Sequence, residues 1–176
     1  MATNPKRSVE DNRTNEKNTS SEPEAMSAVE LLEEDHSEVE SLFEEYQSLE
    51  QDSAKEALAL KICMMLQVHA QLEEEIFYPE ARNAITKPEL IDEAIVEHAS
   101  AKQLIGEIEA MEVGDNLRDA KVKVLGEQIR HHIEEEEAEL FTEVENSEMD
   151  LNALGRRMAE RKTELLQQVV EEGETR

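Results

Sequence analysis

The sequence predicts an all-α chain: an up-down-up-down four-helix bundle with an additional C-terminal helix and a disordered N-terminal tail. Three observations predict it. Charged residues make up 35% of the chain and aromatic ones only 3%, the Ala/Glu/Leu/Lys-weighted composition of helical proteins. Apolar residues recur three and four positions apart through most of the length, the period of a helix with one buried face. Between Pro23 and Pro79 there is neither Gly nor Pro to break that period. At 176 residues the chain is one domain with a single core.

Residues 1–26 are rich in Asn, Thr, Ser, Glu and Lys, with Val9 their only branched aliphatic. They bury too little apolar surface to offset ordering and read as the disordered tail. Residues 27–146 carry the four bundle helices. The first begins after Ser27, with Glu30 completing a capping box, and its stripe is Val29, Leu32, His36, Val39, Phe43 and Tyr46. The second begins after Ser53 with Glu56 as its box partner and presents Leu58, Ile62, Met65/Leu66, His69, Leu72/Glu73 and Ile76/Phe77. Pro79 should kink or end it. The third opens at Thr86 with Pro88 in its first turn and Glu89 closing the box. It presents Ile91, Ala94/Ile95, His98, Ala101, Ile105 and Ile108, and Gly114 stops it. The fourth starts near Asp115 or Asn116 and presents Val122, Leu125, Ile129, His132/Ile133, Glu136 and Leu140. Residues 147–172 form the fifth, amphipathic helix, with Leu151, Leu154, Met158, Leu165 and Val169 packing on the bundle.

The formal net charge of −26 repels phosphate backbones and anionic lipid, which argues against nucleic-acid and membrane-surface partners and favours cations. Most of that acidity is the solvated face of soluble helices. The single cysteine, Cys63, allows no internal disulfide and reads as a small core residue of a cytoplasmic protein. No apolar run reaches the ~18 residues of a membrane helix, and no apolar stretch follows Lys6 and Arg7 to make a secretory signal.

Four of the five histidines, His36, His69, His98 and His132, fall on the four apolar stripes, spaced 33, 29 and 34 residues apart. One histidine on an apolar face is usually a satisfied core residue; four, one per helix, point to a metal site between the helices. His69/Glu73 and His132/Glu136 are i, i+4 pairs that offer an imidazole and a carboxylate on one face. Burying Glu73 and Glu136 without a partner would be costly, so both are expected to bridge metal, with Glu137 in reserve and Glu40 a weaker candidate. His131, one residue off the stripe, should face solvent. Imidazole and carboxylate suit iron, manganese or zinc, and the lack of thiolates argues against an iron–sulfur cluster. Near-equal spacing within the two halves implies a pseudo-two-fold axis.

His69-Ala-Gln-Leu-Glu-Glu-Glu-Ile-Phe-Tyr-Pro79 and His132-Ile-Glu-Glu-Glu-Glu-Ala-Glu-Leu-Phe141 resemble the second- and fourth-helix motifs of the hemerythrin-like, HHE cation-binding family. Asp35-His36 with Leu42-Phe43, and Glu97-His98, resemble the first and third. The resemblance implies a four-helix bundle holding two iron ions in a non-haem di-iron centre, with His36, His69, Glu73, His98, His132 and Glu136 as ligands. It further implies a small diatomic or peroxide partner (dioxygen, nitric oxide or peroxide). The chain departs from oxygen-carrying hemerythrins in having Lys102 where they have a second third-helix histidine, and in placing its fourth-helix carboxylate four rather than five residues after the histidine. Fewer nitrogen ligands favour reaction or sensing in oxidative or nitrosative stress over reversible oxygen carriage. Iron storage or donation, and a metal-free acidic interaction module, are the competing readings. No Ser-His-Asp set or phosphate-binding loop points to a hydrolase or transferase.

Overall fold

The computed structural model describes Met1 and residues 26–174; the tail expected at 1–26 falls almost wholly outside the described residues. Helix α1 spans Ala28–Ser48. Helix α2 begins as Asp52–Leu72, passes through a π-helical turn at Glu73–Phe77 and finishes as Tyr78–Ala81. Helix α3 is Glu89–Glu109. Helix α4 repeats the pattern of α2, with Arg118–Glu135, a π-turn at Glu136–Leu140 and Phe141–Glu145. Helix α5 spans Leu151–Glu174. No strand occurs among the described residues. Helices α1 to α4 form the up-down-up-down bundle, and α5 packs against α1 and α2.

Local chemistry sets these boundaries. The Ser27/Glu30 capping box is present in both directions, with Ser27 Oγ accepting from Glu30 N–H and the Glu30 carboxylate accepting from Ser27 N–H. The other two expected boxes are not formed. Helix α2 starts two residues early, after Gln51 and without a side-chain cap. Thr86 does not cap α3: its N–H and hydroxyl both donate to Glu143 of α4 (3.1 and 2.6 Å), so the helix begins at Glu89 behind Pro88. Helix α3 ends at Glu109, before Gly114, which instead takes φ +79° inside the following loop. Asp115 accepts from Leu117 N–H (2.9 Å), and this local turn delays α4 to Arg118.

Pro79 does not end α2, which runs on to Ala81. It lies in the first turn of the terminal α segment, where a missing N–H is tolerated. Each π-turn takes up one extra residue and rotates the next turn of helix by roughly 100° relative to the preceding stripe. That is why Phe77 and Tyr78 are both buried, as are Leu140 and Phe141.

The core is divided. One apolar cluster contains Leu32, Leu72, Phe77, Ile91, Phe141 and Met158; the other contains Phe43, Ile62, Leu66, Ile105, Leu125 and Ile129. A polar layer of histidines and glutamates belongs to neither cluster. Ile95 and Val169, assigned to stripes from the sequence, are about two-fifths exposed. Gly155 lets α5 approach the start of α1: a Cβ there would lie 2.2 Å from the Met26 carbonyl oxygen.

Candidate metal centre

All six residues expected as ligands come together in the polar layer, and all are buried: His36, His69, His98, His132, Glu73 and Glu136. Periodicity accounts for this, since each histidine sits on the inward stripe of its own helix and each glutamate lies one turn beyond a histidine. The imidazoles face one another in two pairs. His36 Nε2 lies 3.2 Å from His69 Nε2, and His98 Nε2 lies 3.3 Å from His132 Nε2.

The carboxylates join the pairs. Glu73 Oε2 is 3.2 Å from both His69 Nε2 and His98 Nε2, so it touches one member of each pair. Glu136 Oε2 is 3.5 Å from His36 Nε2 and 3.6 Å from His132 Nε2, completing the other side. Donor atoms of His36, His69, Glu73 and Glu136 lie within 4.8 Å of one another, as do those of Glu73, His98 and His132.

Outward of this layer each helix orients the histidine of the next. Asp35 of α1 faces His69 Nδ1 on α2 (3.6 Å). On α2, Glu74 accepts from His98 Nδ1–H on α3 (3.0 Å), and Glu97 of α3 accepts from His132 Nδ1–H on α4 (2.8 Å). Glu137 of α4 closes the ring by accepting from His36 Nδ1–H on α1 (2.8 Å). A carboxylate that fixes the proton on Nδ1 leaves the Nε2 lone pair free, and here those lone pairs point inward. The Asp35–His69 contact is the longest of the four and makes no hydrogen bond, while the other Asp35 oxygen is engaged by Lys162 of α5.

Glu137 is thus adjacent to the centre and not within it, at 40% side-chain exposure against 2% for Glu136. Glu40 is exposed and points away. His131 faces solvent with its side chain 62% exposed, as expected of a residue off the stripe. Lys102, in place of a fifth histidine, pairs with Glu74 (2.6 Å).

Periodicity did not single out Tyr78. Its hydroxyl donates to Glu136 Oε1 (3.1 Å) and lies 3.4 Å from His98 Nε2. The position related to it by the internal repeat is Phe141, whose ring stacks on His36 at 5.8 Å and 2°. One half of the centre therefore has a phenol where the other has a phenyl ring. The π-turn delivers Tyr78 inward, and nothing in the helical period announces such a turn.

The residues fit a bound cation. Both oxygens of Glu73 and Oε2 of Glu136 are buried without a hydrogen-bond partner, a costly arrangement for carboxylates unless a positive charge sits among them. Without metal, protons serve instead. Burial by itself would depress His69, but the carboxylates of Glu73 and Asp35 outweigh it and push its pKa up to about 10. Burial works against the charged form of Glu73 too, and the imidazoles of His69 and His98 prevail to hold it well below the usual range. Glu136 is raised, by burial and by the charge of Glu73. Tyr78 is pushed well up by burial and by the same two carboxylates.

Residues 27–144 match the model of the Hemerythrin HHE cation binding domain. The chain belongs to that family. A solved relative, a hemerythrin HHE cation binding domain-containing protein from Mycobacterium kansasii, superposes with a TM-score of 0.74 at 20% identity. The superposition covers 86% of this chain and 94% of the other, and shows a shared fold. A protein from Nostoc sp. (strain PCC 7120 / SAG 25.82 / UTEX 2576) named DNA nickase is 26% identical over 127 residues, 72% of this chain. The match spans only 36% of that relative's length. An HHE domain with a buried His/Glu cluster marks this chain as metal-binding. Among the described residues no helix is long and apolar enough to cross a membrane.

Proposed function

We propose that this HHE protein holds two iron ions and reacts with dioxygen, nitric oxide or peroxide as part of a response to oxidative or nitrosative stress. One ion would be held by His36 and His69, the other by His98 and His132, with Glu73 and Glu136 bridging. The observation that carries the reading is that each glutamate touches one imidazole from each pair, as a shared bridging ligand must. The Nε2 atoms within each pair are 3.2 and 3.3 Å apart, close enough for both to serve one ion. Manganese and zinc suit the same donors.

Iron held by these six residues would supply redox chemistry towards a diatomic or peroxide ligand. The chain does the rest. Glu137, Glu74 and Glu97 hold the Nδ1 sides of His36, His98 and His132, which turns their Nε2 atoms inward. Phe77, Phe141 and Leu72, all nearly fully buried, exclude water from one side. The Tyr78 hydroxyl places a proton beside Glu136 and the His98/His132 half.

A metal-free interaction module has little support, because it leaves the orphaned Glu73 and Glu136 oxygens without a purpose. The activity named for the Nostoc relative does not transfer on this match either: a net charge of −26 opposes approach to a phosphate backbone. Elemental analysis and the absorption spectrum of freshly isolated protein test the proposal. It expects about two irons per chain and a near-ultraviolet band that changes on adding peroxide or nitric oxide. Iron-free, colourless protein from iron-replete cells would refute it, and iron transfer to an apo acceptor without peroxide turnover would favour storage or donation.

A further inference from the structure

On the side of the histidines away from the glutamates lies a cavity of about 210 Å³. All four histidines line it, but neither Glu73 nor Glu136 does. Its walls begin with the residue one turn from each histidine: Val39 on α1, Leu66 on α2, Ala101 on α3 and Ile129 on α4. On α2 and α4 the glutamates lie four residues after the histidine, whereas Leu66 and Ile129 lie three before it, which puts the cavity on the opposite side. Lys162 and Leu166 of α5 also line it, and both are partly exposed to solvent.

The size of this space is the informative quantity. A water molecule needs about 10–15 Å³ by this kind of measure, and an apolar cavity of about 150 Å³ holds benzene. A diatomic ligand at the metal therefore uses a small part of what is present. The internal repeat shows where the room comes from. Leu66 and Ile129 correspond in the two halves and are equally large, but Val39 is answered by Ala101, so α3 leaves a gap. Asp35, Glu38, Lys61, Lys102 and Lys162 also line the space, but most of the surface it presents is apolar, so a polar guest would exchange its hydrogen bonds to water for few partners.

We propose that this chamber binds an uncharged apolar organic molecule of about six to eight carbon atoms, held beside the imidazoles together with the smaller ligand that meets the metal. Its meaning rests on reading the four histidines as a metal-bearing layer, but its walls do not, so the two ideas fail separately. Toluene is the probe, titrated calorimetrically into the full-length protein as isolated and after metal depletion, with iron measured on the same samples. The expected result is saturable one-to-one binding with a Kd on the order of 0.1–1 mM, weakened by roughly tenfold or more when Ala101→Phe fills the gap. Ala101→Leu serves the same purpose with a smaller intrusion, and a melting curve establishes that each variant folds. Protein that is already iron-free as isolated from iron-replete cells and binds toluene in this way supports the chamber and counts against the metal reading alone; binding to the metal-depleted sample supports the chamber and leaves the metal reading untouched. Iron-loaded protein that takes up no toluene overturns the chamber, as does wild-type affinity in both folded Ala101 variants.

Discussion

Replacing His69 and His132 together with leucine removes one imidazole from each pair. In that variant Glu73 still has His98 at 3.2 Å and Glu136 still has His36 at 3.5 Å, so neither buried carboxylate is stranded. Asp35 keeps Lys162, and Glu97, with its side chain 24% exposed, can be solvated. Leucine fills a similar volume beside the apolar clusters. The metal-free protein loses the His69 ion pairs, which should cost up to about 3–5 kcal/mol. The placement of the ions is tested by the further change when metal is added. At a free metal concentration of a hundred times Kd, each occupied site adds about 2.7 kcal/mol. For a chain of this length that is roughly 5–11 °C in Tm per site, or about 10–20 °C for two. Calorimetric melts with and without ferrous iron under anaerobic conditions measure both quantities. The wild type should show the full rise and the double variant almost none. A double variant that still gained ten degrees on adding iron would refute the placement of the ions between these pairs.

The same geometry sets four further outcomes. In metal-depleted protein His69 titrates at about 10, raised above its unfolded value. Its stabilising contribution is therefore complete below about pH 6.5 and lost as pH climbs towards 10, so the metal-depleted Tm should fall from pH 7 to pH 10 while metal affinity rises; a climbing Tm would contradict this. Glu97→Gln removes the carboxylate that orients His132 and should weaken metal in the His98/His132 half by about 10–100-fold, leaving near one iron per chain after mild chelation. Burial, and then the charge of Glu109, push the Cys63 thiol up to about 12, so iodoacetamide at pH 8 should modify it only at the rate of unfolding. Gly155→Val drives a side chain into the Met26–Ala28 backbone and should cost about 1–3 kcal/mol, seen as faster amide exchange in residues 151–174 than in α4.

The sequence by itself determined the helical class, the number of helices and the inward direction of the six polar residues. All of these depend on periodicity within one helix: His36, His69, His98 and His132 each repeat with their own stripe, and Glu73 and Glu136 come one turn later. What the sequence missed lies where one segment answers to another. Thr86 could have capped α3, but it is claimed by Glu143 from α4. The π-turns that bring Tyr78 inward have no counterpart in a period of 3.6. Asp35, Glu74, Glu97 and Glu137 sit beside the predicted residues in the chain, yet which histidine each one holds could not be read from it. A neighbour at i±1 is rotated by about 100° from the inward face and so meets the adjacent helix, whose identity only the packing of the bundle decides. The division of the core, the chamber beneath the imidazoles and the reach of Lys162 from α5 to Asp35 were decided in the same way, by contacts between segments far apart in sequence.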